Sequence, residues 1–144
     1  MFKSLIIFIC VFIAIFVIDQ NLKTIFLDGF RWYGDYFSLI LTYNKGVAFS
    51  MLSFLDTSLK YFQLALILGI VLYLILKKDV FKDYFIPAGA LLGAGCSNLY
   101  DRFIHGGVVD YFYWHKWFNF AVFNFADVMI NFSVILILFL SYRK

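Results

Sequence analysis

Apolar segments long enough to cross a lipid bilayer constrain this chain more than any other feature. Residues 5–18 contain no charged side chain. Residues 59–76 would cover roughly 27 Å as a helix, close to a hydrocarbon core of about 30 Å. Charged residues make up 15% of the sequence, whereas a soluble domain carries roughly 25%. We therefore predict an all-α membrane protein with four transmembrane helices, at approximately residues 3–22, 59–76, 84–100 and 123–142.

Single residues place the ends of two of these helices. The charged start and apolar run resemble a signal peptide, but no small residues mark a cleavage site after Ile18, so we predict an uncleaved first helix. Pro87, the only proline, is predicted in the first turn of the third helix, where its missing N–H costs least. The length of 144 residues suits one domain, residues 1–144, an integral membrane unit.

Lysine and arginine density predicts the orientation of the helices. Six basic residues crowd the termini and the short loop between the second and third helices. The other six, Lys23, Arg31, Lys45, Lys60, Arg102 and Lys116, are spread over about 60 residues, mostly in two long segments at about 23–58 and 101–122, and are outweighed by seven aspartates. Cytoplasmic loops carry the excess of basic residues, so both termini are predicted to be cytoplasmic and the long segments to face outward. The six crowded residues are Lys3, Lys77, Lys78, Lys82, Arg143 and Lys144.

The first outward segment is predicted to hold a small sheet. Residues 36–43 are rich in aromatic and β-branched side chains and are typical of a strand. We expect a small extracytoplasmic β-sheet that lies on the membrane surface. Four aromatic residues of the outward segments fit an interfacial belt: Trp32, Tyr33, Trp114 and Trp117.

Two aspartates occupy positions where a carboxylate is expensive. Asp127 lies at the start of the last apolar segment, and Asp110 lies just upstream. A charge at membrane depth costs about 2.5–3.5 kcal/mol even on insertion scales, so such a residue indicates a function. Gly106 and Gly107 provide a turn that would fold Asp110 back toward the fourth helix. Two carboxylates that meet share a proton and can hold a water molecule between them.

Polar side chains are predicted to surround these aspartates. Asn98 and Arg102 stack on one face of the third helix, four residues apart. Asn124 and Asn131 continue the face of Asp127 on the fourth helix, which must point to protein or water. The third helix also carries a stripe of small residues that would let another helix approach closely: Gly89, Gly93 and Ser97.

Two further polar groups lie elsewhere in the chain, one on the first helix and one after the predicted strand. Asp19 and Lys23 are four residues apart on the first helix and are predicted to form an ion pair. Asn44, Lys45 and Gly46 follow the predicted strand and have the composition of a turn.

Metal and cofactor sites are not predicted. His105 and His115 are ten residues apart, and Cys10 and Cys96 fall in different segments, so neither pair has a ligand spacing. No glycine-rich phosphate loop is present. The net charge of +3 is too small to indicate nucleic acid. The residues alone leave open a proton-coupled transporter or a structural protein whose polar stripe specifies helix packing.

Five short blocks, in order over about residues 15–131, resemble the lipoprotein signal peptidases (signal peptidase II) of bacteria. Each block alone is weakly specific, but their order on a protein with four predicted spans is strongly specific. The blocks are Asp19-Gln20-x-x-Lys23, Asn44-Lys45-Gly46-Val47-Ala48-Phe49, Asn98-Leu99-Tyr100-Asp101-Arg102, Gly107-Val108-Val109-Asp110-Tyr111 and Phe123-Asn124-Phe125-Ala126-Asp127.

The resemblance implies an aspartic endopeptidase of the bacterial inner membrane. Such an enzyme needs no cofactor and removes the signal peptide from a prolipoprotein, just before a cysteine that carries diacylglycerol. Its partners would be this substrate and membrane lipid, with no nucleic acid, and we expect a monomer. The implied fold has four transmembrane helices, an extracytoplasmic β-cradle and a short surface helix.

The resemblance also assigns residues by motif position. Asp110 and Asp127 would be the catalytic pair, supported by Asn98, Arg102 and Asn124. Asp19, Lys23 and Asn44 occupy the other motif positions, with structural or substrate-contacting roles. The chain departs from the family pattern at Ser97, where glycine is usual, and mildly at Tyr111, where phenylalanine is commoner. We expect close packing at Ser97 to survive with some loss.

Overall fold

Within residues 1–46 and 57–143, which the structure describes, this computed structural model contains four helices and three short strands. The helices are α1 (Phe2–Leu27), α2 (Thr57–Leu76), α3 (Lys78–Ile104) and α4 (Phe125–Tyr142). The strands are β1 (Trp32–Tyr33), β2 (Phe37–Asn44) and β3 (Val108–Trp114). The helices overlap all four predicted spans.

Three of the helices are long and apolar enough to cross a membrane. They comprise Phe2–Leu27, Ser58–Leu76 and Phe125–Tyr142. Most of their side chains face outward, because only 6 to 11% of the residues in each apolar window are buried inside the protein. Apolar residues exposed on this scale need a lipid environment, so the chain is a membrane protein.

The third helix differs because it is the centre of the bundle. α3 contacts α1, α2 and α4. It buries twelve of its residues, several of them glycine or alanine. A helix covered by other helices need not present an apolar surface to lipid, which explains why its composition is the weakest membrane signal of the four.

The small-residue stripe of α3 packs against α1, as predicted. A Cβ atom added at Gly89 would lie 2.8 Å from the backbone oxygen of Phe8, and one at Gly93 would lie 2.5 Å from that of Phe12. These distances are shorter than real carbon–oxygen contacts, so the two backbones approach closely because both positions are glycine.

The predicted position of Pro87 is wrong. α3 begins at Lys78, six residues before the predicted start at 84, and Pro87 lies inside the helix. The charged stretch 78–83 indicated a loop, but it forms the first turns of the helix, where Lys82 and Asp79 pair at 3.3 Å. Only Lys77 separates α2 from α3.

The small sheet is antiparallel in the order β1-β2-β3. β2 lies within one residue of the prediction, whereas β3 was missed, although its sequence is also β-branched and aromatic. Thr42 of β2 pairs with Asp110 of β3, so the sheet carries one of the predicted site residues. Gly106 turns the chain from α3 into β3 with a φ of 72°, which confirms the predicted turn.

Tyr111 connects the sheet to two helices. Its ring stacks on Phe26 of α1 with the centroids 4.2 Å apart. Its hydroxyl oxygen accepts a hydrogen bond from the backbone N–H of Phe125, in the first turn of α4, at 3.1 Å. The departure from phenylalanine at this position therefore supplies a partner for a free backbone donor.

Three predictions fall on residues that the structure does not describe. They are the Val47-Ala48-Phe49 part of the second sequence block, the part of the outward segment that covers residues 47–56, and Lys144. The short surface helix that the resemblance implies is not among the elements of residues 1–46 and 57–143.

Candidate active site

The structure brings Asp110 and Asp127 together around Asn124. Asp110 lies in β3 and is 1% exposed, and its Oδ1 accepts a hydrogen bond from Asn124 Nδ2 at 2.7 Å. Asp127 lies in the first turn of α4, and its Oδ2 accepts from the backbone N–H of Asn124 at 3.1 Å. One residue therefore contacts both carboxylates.

Asn124 is the N-cap of α4 rather than a residue within the helix. The predicted span began at 123, but the helix begins at Phe125, and Asn124 is extended at φ −126° and ψ −179°. Its side-chain oxygen accepts from the backbone N–H of Asp127 at 2.9 Å, which completes a capping box. The position of Asp127 is thus set by helix capping, with an asparagine and an aspartate in the two capping roles.

Asn98 connects α3 to this arrangement. Its Nδ2 donates to Asp127 Oδ1 at 2.9 Å. Its Oδ1 accepts from Asn124 Nδ2 at 3.1 Å and from Lys23 Nζ at 2.9 Å. Two donors on the oxygen fix the orientation of the amide, so its N–H groups point to the carboxylate.

Asn44 reaches the other aspartate from the end of β2. Its Nδ2 donates to Asp110 Oδ2 at 3.1 Å. Its Oδ1 accepts from the backbone N–H of Gly46 at 2.9 Å. This hydrogen bond forms the turn predicted for residues 44–46, at the end of the described range 1–46.

Arg102 lines the same cavity as the aspartates, but its hydrogen bonds go elsewhere. Its Nε donates to Gln63 Oε1 at 2.8 Å, and its Nη2 donates to the backbone oxygen of Gly46 at 2.6 Å. Arg102 therefore joins α3 to α2 and to the loop after β2. Gln63 was not singled out from the sequence, although a lone amide in an apolar span was the signal that could have identified it.

A cavity of about 770 Å³ contains both carboxylates in its lining. Its polar end is formed by the aspartates with Asn44, Asn98 and Arg102, and its walls are apolar side chains of α2 and α4. Those wall residues are Leu59, Phe62, Leu66, Val128, Ile130, Phe132 and Ile135. The cavity can hold a long apolar molecule with one polar group at the aspartates.

The described residues that line this cavity do not include Asp19 or Lys23. The predicted ion pair is present, with Lys23 Nζ 2.5 Å from Asp19 Oδ2. Lys23 Nζ also lies 2.6 Å from Asp101 Oδ2, and all three side chains are at most 1% exposed. Asp101 belongs to the third sequence block but was not among the predicted site residues.

Burial dominates the electrostatics of Asp110. Removal from water, and then the charge of Asp127, raise the pKa of Asp110 to about 7, although hydrogen bonds from Asn44 and Asn124 and the charge of Lys23 oppose the change. A carboxyl group with this pKa exchanges its proton near neutral pH, as a general acid or base must.

The histidines and the other possible ligands do not form a metal site in the described part of the chain. Among the described residues, no three histidine, cysteine, aspartate or glutamate side chains lie close enough to hold a metal ion. His115 lies instead against β2, with Nε2 2.9 Å from Ser38 Oγ. The arrangement suits a reaction in which two carboxylates activate water.

Comparison with known proteins gives a consistent result. The family described as Signal peptidase (SPase) II matches residues 11–143. The lipoprotein signal peptidase of Sulfurimonas denitrificans is 56% identical over 141 residues, covering 98% of this chain and 91% of that protein. That of Campylobacter jejuni is 57% identical over 137 residues, covering 95% and 88%. That of Helicobacter pylori is 54% identical over 132 residues, covering 92% and 84%.

Two solved bacterial membrane enzyme structures share the fold. One superimposes with a TM-score of 0.79 at 22% identity, covering 99% of this chain and 89% of the other. The second has a TM-score of 0.75 at 22% identity, covering 96% and 92%.

Proposed function

Because the chain belongs to the signal peptidase II family, which removes signal peptides from prolipoproteins, we propose that Asp110 and Asp127 are its catalytic dyad. The enzyme is a peptidase of the aspartic type. The observation that carries the proposal is Asn124, which donates a hydrogen bond to each carboxylate and so holds both at the polar end of one cavity.

The dyad works with one proton shared between two carboxyl groups. Two carboxylates at close range do not both ionise at neutral pH, and the raised pKa of Asp110 agrees with this. The ionised member takes a proton from water while the oxygen of that water attacks the scissile carbonyl carbon. The protonated member donates a hydrogen bond to the oxygen, which becomes negative in the tetrahedral intermediate.

Collapse of the intermediate completes the reaction. The carbonyl reforms, the carbon–nitrogen bond breaks, and a proton from the dyad goes to the leaving amine. The signal peptide leaves with a new carboxyl end, and the mature lipoprotein keeps the amine. The amide donors of Asn44, Asn98 and Asn124 hold the carboxylates in place throughout.

The substrate proposed for this cavity is a prolipoprotein whose cysteine carries diacylglycerol, cut just before that cysteine. The apolar walls from α2 and α4 suit acyl chains and the apolar part of a signal peptide. Arg102 and Gln63 lie at the polar end, where a backbone carbonyl of the substrate would enter. We expect no cofactor and no nucleic-acid partner, and a monomer in membrane lipid.

α3 is proposed as the fourth transmembrane helix of a single integral membrane peptidase domain, residues 1–144. Residues 84–100 of α3 carry no charge and would cover roughly 25 Å. Its contacts with all three other helices favour a position across the membrane rather than along its surface.

The protein is proposed to lie in the bacterial inner membrane with both termini in the cytoplasm. The crowding of basic residues at the termini and at the α2–α3 junction supports this orientation. It puts the three-stranded sheet and the dyad near the extracytoplasmic face, where a diacylglyceryl-anchored cysteine would lie.

The dyad is tested with Asp110→Asn and Asp127→Asn in a gel-shift assay of a diacylglyceryl-modified prolipoprotein. Asparagine has the size of aspartate and no charge, so both variants should fold and neither should cleave. Asp79→Asn is the matched control, because Asp79 is 95% exposed at the start of α3 and should cleave as the wild type does. Cleavage by either dyad variant at the control's rate would discard the assignment.

A further inference from the structure

Two buried carboxylates outside the cavity each hold the backbone just before a proposed catalytic aspartate. Asp19 Oδ1 accepts a hydrogen bond at 2.8 Å from the N–H of Ala126, which directly precedes the dyad member in α4. Asp101 Oδ2 accepts one at 3.1 Å from the N–H of Val109, which directly precedes the dyad member in β3. The residue before each proposed catalytic aspartate is therefore held by a carboxylate, one from α1 and the other from α3.

Lys23 joins these two carboxylates. Its ammonium nitrogen lies 2.5 Å from Asp19 Oδ2 and 2.6 Å from Asp101 Oδ2. It also donates to Asn98 Oδ1 at 2.9 Å, which leaves the amide N–H of Asn98 pointing to the α4 aspartate. A chain of contacts through one lysine therefore connects both carboxylates and their supporting amide.

We propose that Asp19, Lys23 and Asp101, which we name the clamp, are positioning residues that set the separation of the catalytic aspartates. The proposal rests on the dyad assigned above. A single water molecule must reach both carboxylates, and a misplacement of about 1 Å can reduce a rate on the order of 100-fold. The β3 and α4 aspartates belong to elements that α1 and α3 hold through the clamp.

Stability alone does not account for three buried charges. Replacing a buried ion network by apolar side chains is often neutral or stabilising, because desolvation opposes the attraction between the charges. Each clamp carboxylate also has a further donor that fixes its direction: Ser97 Oγ donates to Asp19 at 2.6 Å and Gln20 Nε2 donates to Asp101 at 2.8 Å. Ser97, which replaces the usual glycine, thus contributes a hydroxyl to the clamp.

Asp101 is the member to test, since it touches neither cavity nor dyad. In purified full-length enzyme with a diacylglyceryl prolipoprotein, Asp101→Ala should lower kcat by roughly 10- to 100-fold at unchanged KM. Asp101→Asn keeps an oxygen for the Val109 N–H and should retain more of kcat than alanine. A role in stability alone would lower the amount of folded enzyme but not kcat per folded molecule.

Amide hydrogen exchange tests the clamp without a substrate. In isotope-labelled protein, Asp101→Ala should speed exchange at Val109 more than at Ala126, and Asp19→Ala should do the reverse. If the wild type cleaves nothing, the proposed dyad is overturned. The exchange rates still test the contacts of the clamp in that case, because they need no substrate.

The matched control is Lys82→Met, which breaks the exposed ion pair with Asp79 in the same helix. It should leave kcat, KM and both amides unchanged. The clamp is overturned if Asp101→Ala keeps wild-type kcat, or if Asn and Ala lose kcat equally. Unchanged exchange at Val109 in Asp101→Ala would overturn it as well.

Discussion

Asn124 combines two roles that are usually carried by separate residues. It caps α4 through its side-chain oxygen, and it contacts Asp110 through its side-chain nitrogen. An N-cap contributes roughly 1 kcal/mol to helix stability. The geometry of the proposed dyad is consequently tied to the capping of α4.

The activity should fall as the pH rises above about 7. Burial and the charge of Asp127 raise the pKa of Asp110 to about 7. Below that value the proposed dyad keeps its proton, and above it both carboxyl groups ionise, so neither would donate a hydrogen bond to the oxyanion. The same ionisation lowers the stability of the folded protein. Because the pKa of Asp110 is higher in the folded state, protonated Asp110 contributes to the free energy of unfolding in full below the ordinary pKa of 3.8, and this contribution is lost as the pH rises through about 7.

A pH profile of kcat checks this expectation, with Asn44→Ala as the informative variant. The hydrogen bond from Asn44 stabilises the ionised carboxylate and lowers the pKa of Asp110. Its removal should therefore move the alkaline limb to higher pH, whereas Asp79→Asn should leave it in place. A limb that moves to lower pH in Asn44→Ala would contradict the assignment of the limb to Asp110.

At the scale of the elements, α3 organises the protein because its small residues admit α1. The contact between these two helices carries both the glycine positions and the clamp, on successive turns of the same face. Asp19 and Lys23 of α1 reach Ser97, Asn98 and Asp101 only because the backbones meet at Gly89 and Gly93.

Gly93→Ala should destabilise the protein by about 1–3 kcal/mol, the usual cost of overpacking. A Cβ at this position would lie 2.5 Å from a backbone oxygen that cannot move without shifting α1. Gly69→Ala is the control in α2, where an added Cβ meets nothing within 4 Å. It should be neutral or stabilising by up to about 1 kcal/mol, because alanine favours a helix over glycine.

Thermal unfolding of both variants in the same detergent measures the difference. The unfolding midpoint should fall in Gly93→Ala and not in Gly69→Ala. Equal midpoints in the two variants would show that α1 and α3 do not depend on glycine for their approach.

At the scale of the whole molecule, the proposed crossing of α3 would determine on which side of the membrane the proposed dyad lies. α1, α2 and α4 are long and apolar enough to cross a membrane, whereas α3 is proposed as a span from its place among its neighbours. If α3 crosses, residue 77 and residue 119 lie on opposite sides of the membrane. If it does not cross, they lie on the same side.

Cysteine labelling in intact cells separates these arrangements. In a chain with Cys10→Ser and Cys96→Ala, a membrane-impermeant maleimide should label Asn119→Cys and not Lys77→Cys until the membrane is opened. Labelling of both residues from outside, or of neither until the membrane is opened, would reject α3 as a span. Labelling of Lys77→Cys alone would reverse the orientation.

Much of the architecture follows from local patterns. Residues 5–18 and 59–76 are apolar over a bilayer's length, residues 36–43 have strand composition, and Asp19 and Lys23 are one helical turn apart. Each of these predictions concerns residues that are close in sequence. The distances between such residues are set by the helix or strand itself and are nearly independent of the fold. The error at Pro87 was also local, since charged residues 78–83 can form either a loop or an exposed helical turn.

The amino-acid sequence by itself determined that this is a membrane protein with four long helices and two unusual aspartates. Only the tertiary structure decided that Asn124 contacts both aspartates, that Arg102 bonds Gln63 and Gly46, and that Asp101 holds Val109. Most of these contacts join different elements, up to 56 positions apart for Arg102 and Gly46. A hydrogen bond depends on distances of a few ångströms, and the path of the chain sets those distances only once the helices have packed.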